Sequence, residues 1–326
     1  MPLRLGLLGA AKIAHQAVVK PTRIVEEVTL AAVAARDPAR AKAYATKYAI
    51  PTVHATYDDL LADPSIDVVY NPLPNGLHAE WTLKALAAGK HVLCEKPFTS
   101  NADEARTVAD AAEASGLIVM EAFHYRYHPL AERMLAIAHS GELGTIREVR
   151  TALCFPLPRF RDIRYRYDLG GGAMMDAGCY ALHALRLLGP SEPEVVAATA
   201  RLHSPSIDRA MSADFRFEGG ATGHLEASMW SRRLLRINAT LVGDRGRMSV
   251  FNFVAPHLFH RLSVTVDGTT TRERVPGEAT YTEQLRRFAG AVLRDEPFPT
   301  TARDAVVTMA LIDDVYVAAG MTPRGS

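Results

Sequence analysis

"LGLLGAAKIAH", residues 5–15, decides how the first third of this 326-residue chain is read. The apolar run Leu5–Leu8 has the composition of a buried strand, and Gly9 stops it. A dinucleotide-binding turn follows such a strand with G-x-G-x-x-G; here those positions hold Gly9, Ala11 and Ala14. The first glycine of the pattern permits the tight bend, the second lets backbone approach a pyrophosphate, and the third lets helix pack on strand. Gly9 keeps the bend, and alanine is the smallest replacement at the other two positions. Taken alone, the stretch suits a variant cofactor turn formed by Gly9, Ala10, Ala11, Lys12 and Ile13, or an ordinary strand–helix connection.

Further apolar runs at Leu30–Ala34, Val68–Tyr70, His91–Leu93 and Leu117–Met120 alternate with alanine-rich stretches of helical spacing, such as "DPARAKAYATKY" and "HAEWTLKALAAGK". That alternation predicts an α/β domain over residues 1–122, a Rossmann-type doubly wound parallel sheet. After Tyr125 the rhythm changes. Helices are predicted over Pro129–Ser140 and Ala173–Leu188, and strands with glycine turns fill Glu194–Thr271. Two helices follow, near Tyr281–Leu293 and Ala302–Ala319. Residues 123–326 therefore read as an α+β domain with a large, mostly antiparallel sheet whose apolar alternation suits the pairing of two subunits.

A composition of 48% hydrophobic and 22% charged residues is that of an ordinary soluble globular chain. The net charge of +1 gives no electrostatic case for nucleic acid or an anionic membrane, and no apolar run reaches bilayer length. The start leads directly into the first strand, so no signal peptide is expected. Cys94, Cys154 and Cys179 are odd in number and lack C-x-x-C spacing. They read as reduced thiols of a cytoplasmic protein. His78, His124 and His128 lie near strand ends without the carboxylates or cysteines of a metal site, so no metal is expected.

At the end of the second strand the chain presents Ala35-Arg36-Asp37. A carboxylate there accepts from the ribose 2′-hydroxyl of NAD, whereas an arginine suits the 2′-phosphate of NADP. Arg36 offers the guanidinium fork, and Pro38 marks Asp37 as the cap of the next helix. The reading favours NADP, with NAD the alternative.

Three further segments extend the pattern: "NPLPNGLHAEWTLKALAAGKHVLCEKPFTSN" with Asn71, Pro72, His78 and Glu95-Lys96-Pro97; "EAFHYRYHP"; and "DLGGGAMMDAGCYALHAL". Together with the first loop they resemble the glucose–fructose oxidoreductase/inositol dehydrogenase (Gfo/Idh/MocA) family over most of the chain. Tyr180 stands four residues after Asp176, where many members carry histidine. That tyrosine, with "AARDPARAKAYATKYAIP" and "VLCEKPFTSNADEA", is most similar to the dimeric dihydrodiol dehydrogenases, which use NADP.

The resemblance implies hydride transfer between NADP(H) and a secondary alcohol or carbonyl of a sugar, polyol or cyclic diol, in a homodimer. Gly9 to Ile13, Arg36, Asn71, Pro72, His78 and Glu95 to Pro97 would hold the cofactor. Tyr180 would be the acid/base, and a phenol with a pKa of about 10 needs help near neutral pH. Lys96 would supply the positive charge that favours phenolate, and Asp176 would orient Lys96 or a substrate hydroxyl. Phe123, Arg126 and His183 are candidate substrate contacts, with Trp230 and Arg232 behind them. The three glycines at 170–172 would let backbone pass close to a ligand.

Each residue also has a plainer role. Lys96 would then be a surface charge, Asp176 a partner of Arg126 or Arg164, and Tyr180 a core tyrosine. Two other functions stay open: a non-catalytic NADP-binding regulatory protein, and a nicotinamide-dependent hydrolase or epimerase.

Overall fold

The computed structural model describes residues 1–159, 161–231 and 235–325. The chain divides into two units, Met1–His124 with Tyr281–Val306, and Tyr125–Thr280 with Val307–Ser326. The first boundary falls beside the expected 122/123. The return of residues 281–306 to the first unit was not expected, and it has a visible cause. Thr301 bridges to Met120, and the Thr300 hydroxyl donates to the Glu121 carbonyl at 2.7 Å. Arg303 also pairs with Glu113 and Asp110.

The first unit is built on strands β1 (Leu3–Leu8), β2 (Val28–Ala34), β3 (Thr52–His54), β4 (Val68–Asn71), β5 (His91–Cys94) and β6 (Val119–Glu121). All pair in parallel in the order β3-β2-β1-β4-β5-β6, so the direction of winding reverses between β1 and β4. β4 is buried at every residue, as a strand covered on both faces must be.

The helices here are α1 (Pro38–Tyr48), α2 (Tyr57–Ala62), α3 (His78–Ala87) and α4 (Ala102–Ser115). Their starts follow from capping chemistry. Asp37 accepts from Ala39 N–H, Thr56 and Asp59 form a reciprocal capping box, and Asn101 accepts from Glu104 N–H. The helix expected straight after the glycine turn is instead one π turn, His15–Val19, followed by a 3-10 turn at Pro21–Arg23. Pro21 lacks the N–H that an α-helix would need there.

The second unit opens with α5 (Pro129–His139), then β7 (Ile146–Cys154) and α6 (Cys179–Leu188). Its remaining strands are β8 (Glu194–Ser204), β9 (Ile207–Arg216), β10 (Thr222–Ser228), β11 (Arg236–Gly243), β12 (Gly246–Phe251), β13 (Arg261–Val266) and β14 (Thr269–Glu273). They form an eight-stranded sheet ordered β14-β13-β12-β11-β7-β10-β9-β8, antiparallel except for the β7–β10 pair. On β10, Gly223, Leu225 and Ala227 are buried, while His224, Glu226 and Ser228 point to a half-exposed face. α6 packs on β7 and β10 and is buried on all sides but one residue. Two helices, α7 (Thr280–Arg294) and α8 (Ala302–Ala318), complete the chain. Among the described residues no helix is long and apolar enough to cross a membrane.

Candidate active site

Parallel strands point every carboxyl end to one edge of the sheet, and most of the predicted cofactor residues stand on that edge of the first unit. Gly9 follows β1, Arg36 follows β2, Asn71 ends β4, and Glu95-Lys96-Pro97 follow β5. Gly9 donates to the Ala34 carbonyl at 2.7 Å with φ of +89°, a backbone that side-chain-bearing residues rarely adopt. Ala10 and Ala11 are half-buried, Lys12 and Ile13 are exposed, and Ala14 is buried where helix meets sheet. The small residues at positions 11 and 14 thus lie on opposite sides of the turn, one towards solvent and one towards the core.

Arg36 is exposed and makes no ion pair among the described residues. Asp37 is occupied, its Oδ1 accepting from Ala39 N–H at 2.9 Å and from Arg40 N–H at 3.4 Å.

Asn71, Pro72 and His78 form the scaffold of this edge. Asn71 is wholly buried and donates to the His78 carbonyl and to Thr82 Oγ1, both at 3.2 Å. His78 is also wholly buried, with Nδ1 2.8 Å from the Pro97 carbonyl and Nε2 2.7 Å from the Leu73 carbonyl. Burial pulls its pKa down to about 4, so at neutral pH one ring proton serves one of these two carbonyls. His78 therefore links the loop after β4 to the turn that carries Lys96. Glu95 is held between the Tyr70 hydroxyl, 2.7 Å from Oε1, and the Lys96 N–H, 3.3 Å from Oε2. The Lys96 side chain is half-buried, and the Lys96–Pro97 peptide is cis. Phe123 is fully buried after β6, and the His124 ring packs on Tyr281 with centroids 4.0 Å apart. Burial and the nearby Glu95 carboxylate push the Tyr281 phenol well above its ordinary pKa.

In the second unit Asp176 and Tyr180 lie on either side of a junction. One π turn, Met174–Gly178, leads into α6, in place of the unbroken α-helix expected from Ala173. Asp176 forms an ion pair with Arg164, Oδ2 to Nε at 2.8 Å, one of the two arginines weighed as its partner. Tyr180 is 7% exposed, and its ring centroid lies 6.0 Å from that of Tyr125. The Tyr125 hydroxyl in turn lies 2.6 Å from His183 Nδ1, and both residues are buried. Asp176, Tyr180, Tyr125, His183 and Arg164 thus belong to one constellation.

Arg126 pairs with the exposed carboxylate of Glu132. Trp230 is 46% exposed and backs onto Pro156, while Arg232 lies outside the described residues. Two of the glycines at 170–172, Gly171 and Gly172, lie against the protein's own chain. A Cβ on Gly171 would stand 2.6 Å from the Arg164 carbonyl, and one on Gly172 would stand 2.3 Å from Asp208 Oδ1. These glycines make room for the protein's own chain, which supplies the packing purpose the sequence did not reveal.

Residues 3–123 match the family model of oxidoreductases with an NAD-binding Rossmann fold, and residues 131–249 match the corresponding C-terminal domain. The chain belongs to the Gfo/Idh/MocA oxidoreductase family. Relatives of this Gfo/Idh/MocA protein include D-xylose 1-dehydrogenase (NADP(+)) 2 of Haloferax volcanii, 39% identical over 96% of each chain. The trans-1,2-dihydrobenzene-1,2-diol dehydrogenase of Mus musculus is 33% identical over 78% of this chain and 77% of its own. Among solved structures, the 3-ketoreductase of Actinomadura kijaniata in complex with NADP and TDP-benzene superposes with a TM-score of 0.90 at 29% identity, covering 98% of each chain.

Sequence reasoning missed three residues that pack on or beside these elements. Tyr125 stood in "EAFHYRYHP" as one more wall aromatic, and only its bond to His183 sets it apart. Asp208 and Arg324 carried no local signal at all, because neither lies in a motif.

Proposed function

We propose that this family member is an NADP-dependent oxidoreductase that moves a hydride between the cofactor and a secondary alcohol or carbonyl of a sugar, polyol or cyclic diol. The observation that carries this reading is the carboxyl edge of the parallel sheet. There the Gly9 turn lies at the winding reversal, flanked by Arg36, which makes no ion pair among the described residues, and by half-buried Lys96. These residues fit the cofactor: the Gly9 turn suits a pyrophosphate, and Arg36 suits a 2′-phosphate. The alternative reader, Asp37, is committed to capping α1, which disfavours NAD. The NADP in the names of the xylose dehydrogenase and the ketoreductase complex supports the same choice.

Bound nicotinamide would accept or donate the hydride. In this reading Tyr180 takes the hydroxyl proton during oxidation and returns it during reduction. Lys96 would contribute positive charge that favours phenolate, and Asp176, paired with Arg164, would orient a substrate hydroxyl. His183, on α6 one turn past Tyr180, is held by Tyr125 and would line the substrate site.

A homodimer through the eight-stranded sheet belongs to the same proposal. The face of β10 away from α6 is half-exposed and laced with cross-strand charges, Asp214–His224 and Glu226–Arg236. The three cysteines are buried and form no disulfide among the described residues, which fits a reducing cytoplasm.

The test is fluorescence titration of the purified protein with NADPH and with NADH, followed by turnover on D-xylose, other sugars and cyclic diols with NADP. Tighter NADPH binding and turnover on one of these alcohols are the expected results. Binding of neither nucleotide would overturn the reading.

A further inference from the structure

Between α8 and the end of the described chain, residues 322–324 fold back onto the glycine turn that precedes Asp176. Arg324 is wholly buried. Its Nε donates to the Gly171 carbonyl at 2.6 Å, and its Nη2 donates to Asp208 Oδ1 at 2.7 Å. Its guanidinium lies over the ring of Tyr316, 4.1 Å from the centroid. The Tyr167 hydroxyl donates to the Pro323 carbonyl at 3.1 Å, fastening the same segment from the other side.

Asp208, also wholly buried, gathers three donors: Arg324, the Tyr316 hydroxyl at 3.0 Å, and the Met174 N–H at 2.7 Å. Burial raises its pKa, while Arg324 and the two other donors favour the carboxylate. The last of those bonds matters most. Met174 opens the π turn that contains Asp176 and runs into α6 at Tyr180. Gly172 lies between, with φ of +138° and no space for a side chain. A Cβ there would fall 2.7 Å from the Tyr316 hydroxyl and 2.8 Å from Arg324 Nη2. One buried ion pair therefore grips both the carbonyl side of the turn, at Gly171, and its N–H side, at Met174.

We propose that Arg324, acting through Asp208 and the Gly171–Met174 turn, is a positioning residue that holds Asp176 and Tyr180 in their working register. The proposal rests on the reading of Asp176 and Tyr180 given above. A surface tail has no reason to bury an arginine. A buried arginine that reaches, through Asp208, the first residue of the π turn leading into α6 sets where that turn begins. Placement errors of about 1 Å far from the chemistry can cost on the order of 100-fold in rate while leaving binding intact.

The experiment compares Arg324→Met, Arg324→Lys and Tyr316→Phe with the unaltered protein, with Tyr180→Phe measured alongside. Turnover of D-xylose, or of the best alcohol of the screen, is followed with NADP. NADPH affinity and amide exchange across residues 172–180 are measured on the same samples. Arg324→Met is expected to lose kcat about 10- to 100-fold with NADPH affinity unchanged, and amides 172–180 should exchange faster. Arg324→Lys should recover part of the rate. Tyr316→Phe keeps the ion pair and removes one bond to Asp208, so it should show a smaller loss of the same kind, even if Arg324→Met fails to fold. A folded Arg324→Met or Tyr316→Phe with unaltered kcat and exchange, alongside an inactive Tyr180→Phe, would overturn the positioning role alone. An active Tyr180→Phe would overturn the underlying reading and this proposal with it.

Discussion

Replacing Arg36 with alanine isolates the choice of cofactor from everything else the fold does. Arg36 follows β2 on the carboxyl edge of the parallel sheet, is exposed, and has no ion pair among the described residues to lose. The substitution therefore leaves no buried charge behind and should not destabilise the protein. What it removes is one guanidinium–phosphate contact at a solvated site. Charge-assisted contacts are worth about 1.5–3 kcal/mol, and solvent exposure argues for discounting that to about 1–2 kcal/mol. At a factor of ten per 1.4 kcal/mol, NADPH affinity should fall roughly 5- to 30-fold. NADH lacks the 2′-phosphate and should be nearly unaffected. Asp37→Ala is the control. It removes the cap of α1, costing about 1 kcal/mol of helix stability, and should shift both cofactors alike. Fluorescence titrations of both nucleotides at one fixed ionic strength give the two ratios. Equal losses for NADPH and NADH in Arg36→Ala, or no loss for either, would refute the assignment of Arg36 to the 2′-phosphate.

Tyr180→Phe should abolish turnover while NADPH titrates as before; retained turnover would remove Tyr180 as the acid/base. Gly172→Ala should cost about 3 kcal/mol or more, because its Cβ would drive Asp208 and Arg324 apart in a buried site. Gly89→Ala has a similarly positive φ of +74° but nothing within 4 Å, and should cost only about 1 kcal/mol in the same urea unfolding assay. His128 is 1% exposed and caps α5 by accepting from Leu130 N–H, and burial lowers its pKa from 6.5 to about 4. Above pH 6.5 folded and unfolded chains bind no proton there. Between 6.5 and 4 the unfolded chain takes one that the fold refuses, so stability should fall by about 3 kcal/mol as pH drops, then level off. His128→Asn keeps a capping acceptor without the titration, and its urea midpoint should flatten over that range; an unchanged slope would refute the role of His128.

How much was legible in the sequence follows from the range of each interaction. Strand β4 and the start of α1 could be read directly, because burial on both faces and the Asp37-Pro38 cap are written within a few neighbouring residues. The six-stranded sheet follows from that local alternation and the handedness of β-α-β units. That Gly9, Arg36 and Lys96 lie at the carboxyl edge was legible because each comes within two residues of such a strand's end. The π turns at His15–Val19 and Met174–Gly178 were not legible, since a helical window does not reveal one residue added to a turn.

What the sequence by itself determined is the α/β organisation of the first unit and the antiparallel character of the second. Tertiary structure alone decided the return of residues 281–306 to the first unit and the partnership of Arg164 with Asp176. It also decided the bond between Tyr125 and His183, 58 residues apart, and the clasp of Arg324 on Asp208, 116 residues apart. Caps, turns and periodicity act over a few residues, so a short stretch of sequence states them. A buried ion pair forms only when packing removes both partners from water, and that desolvation belongs to the folded whole.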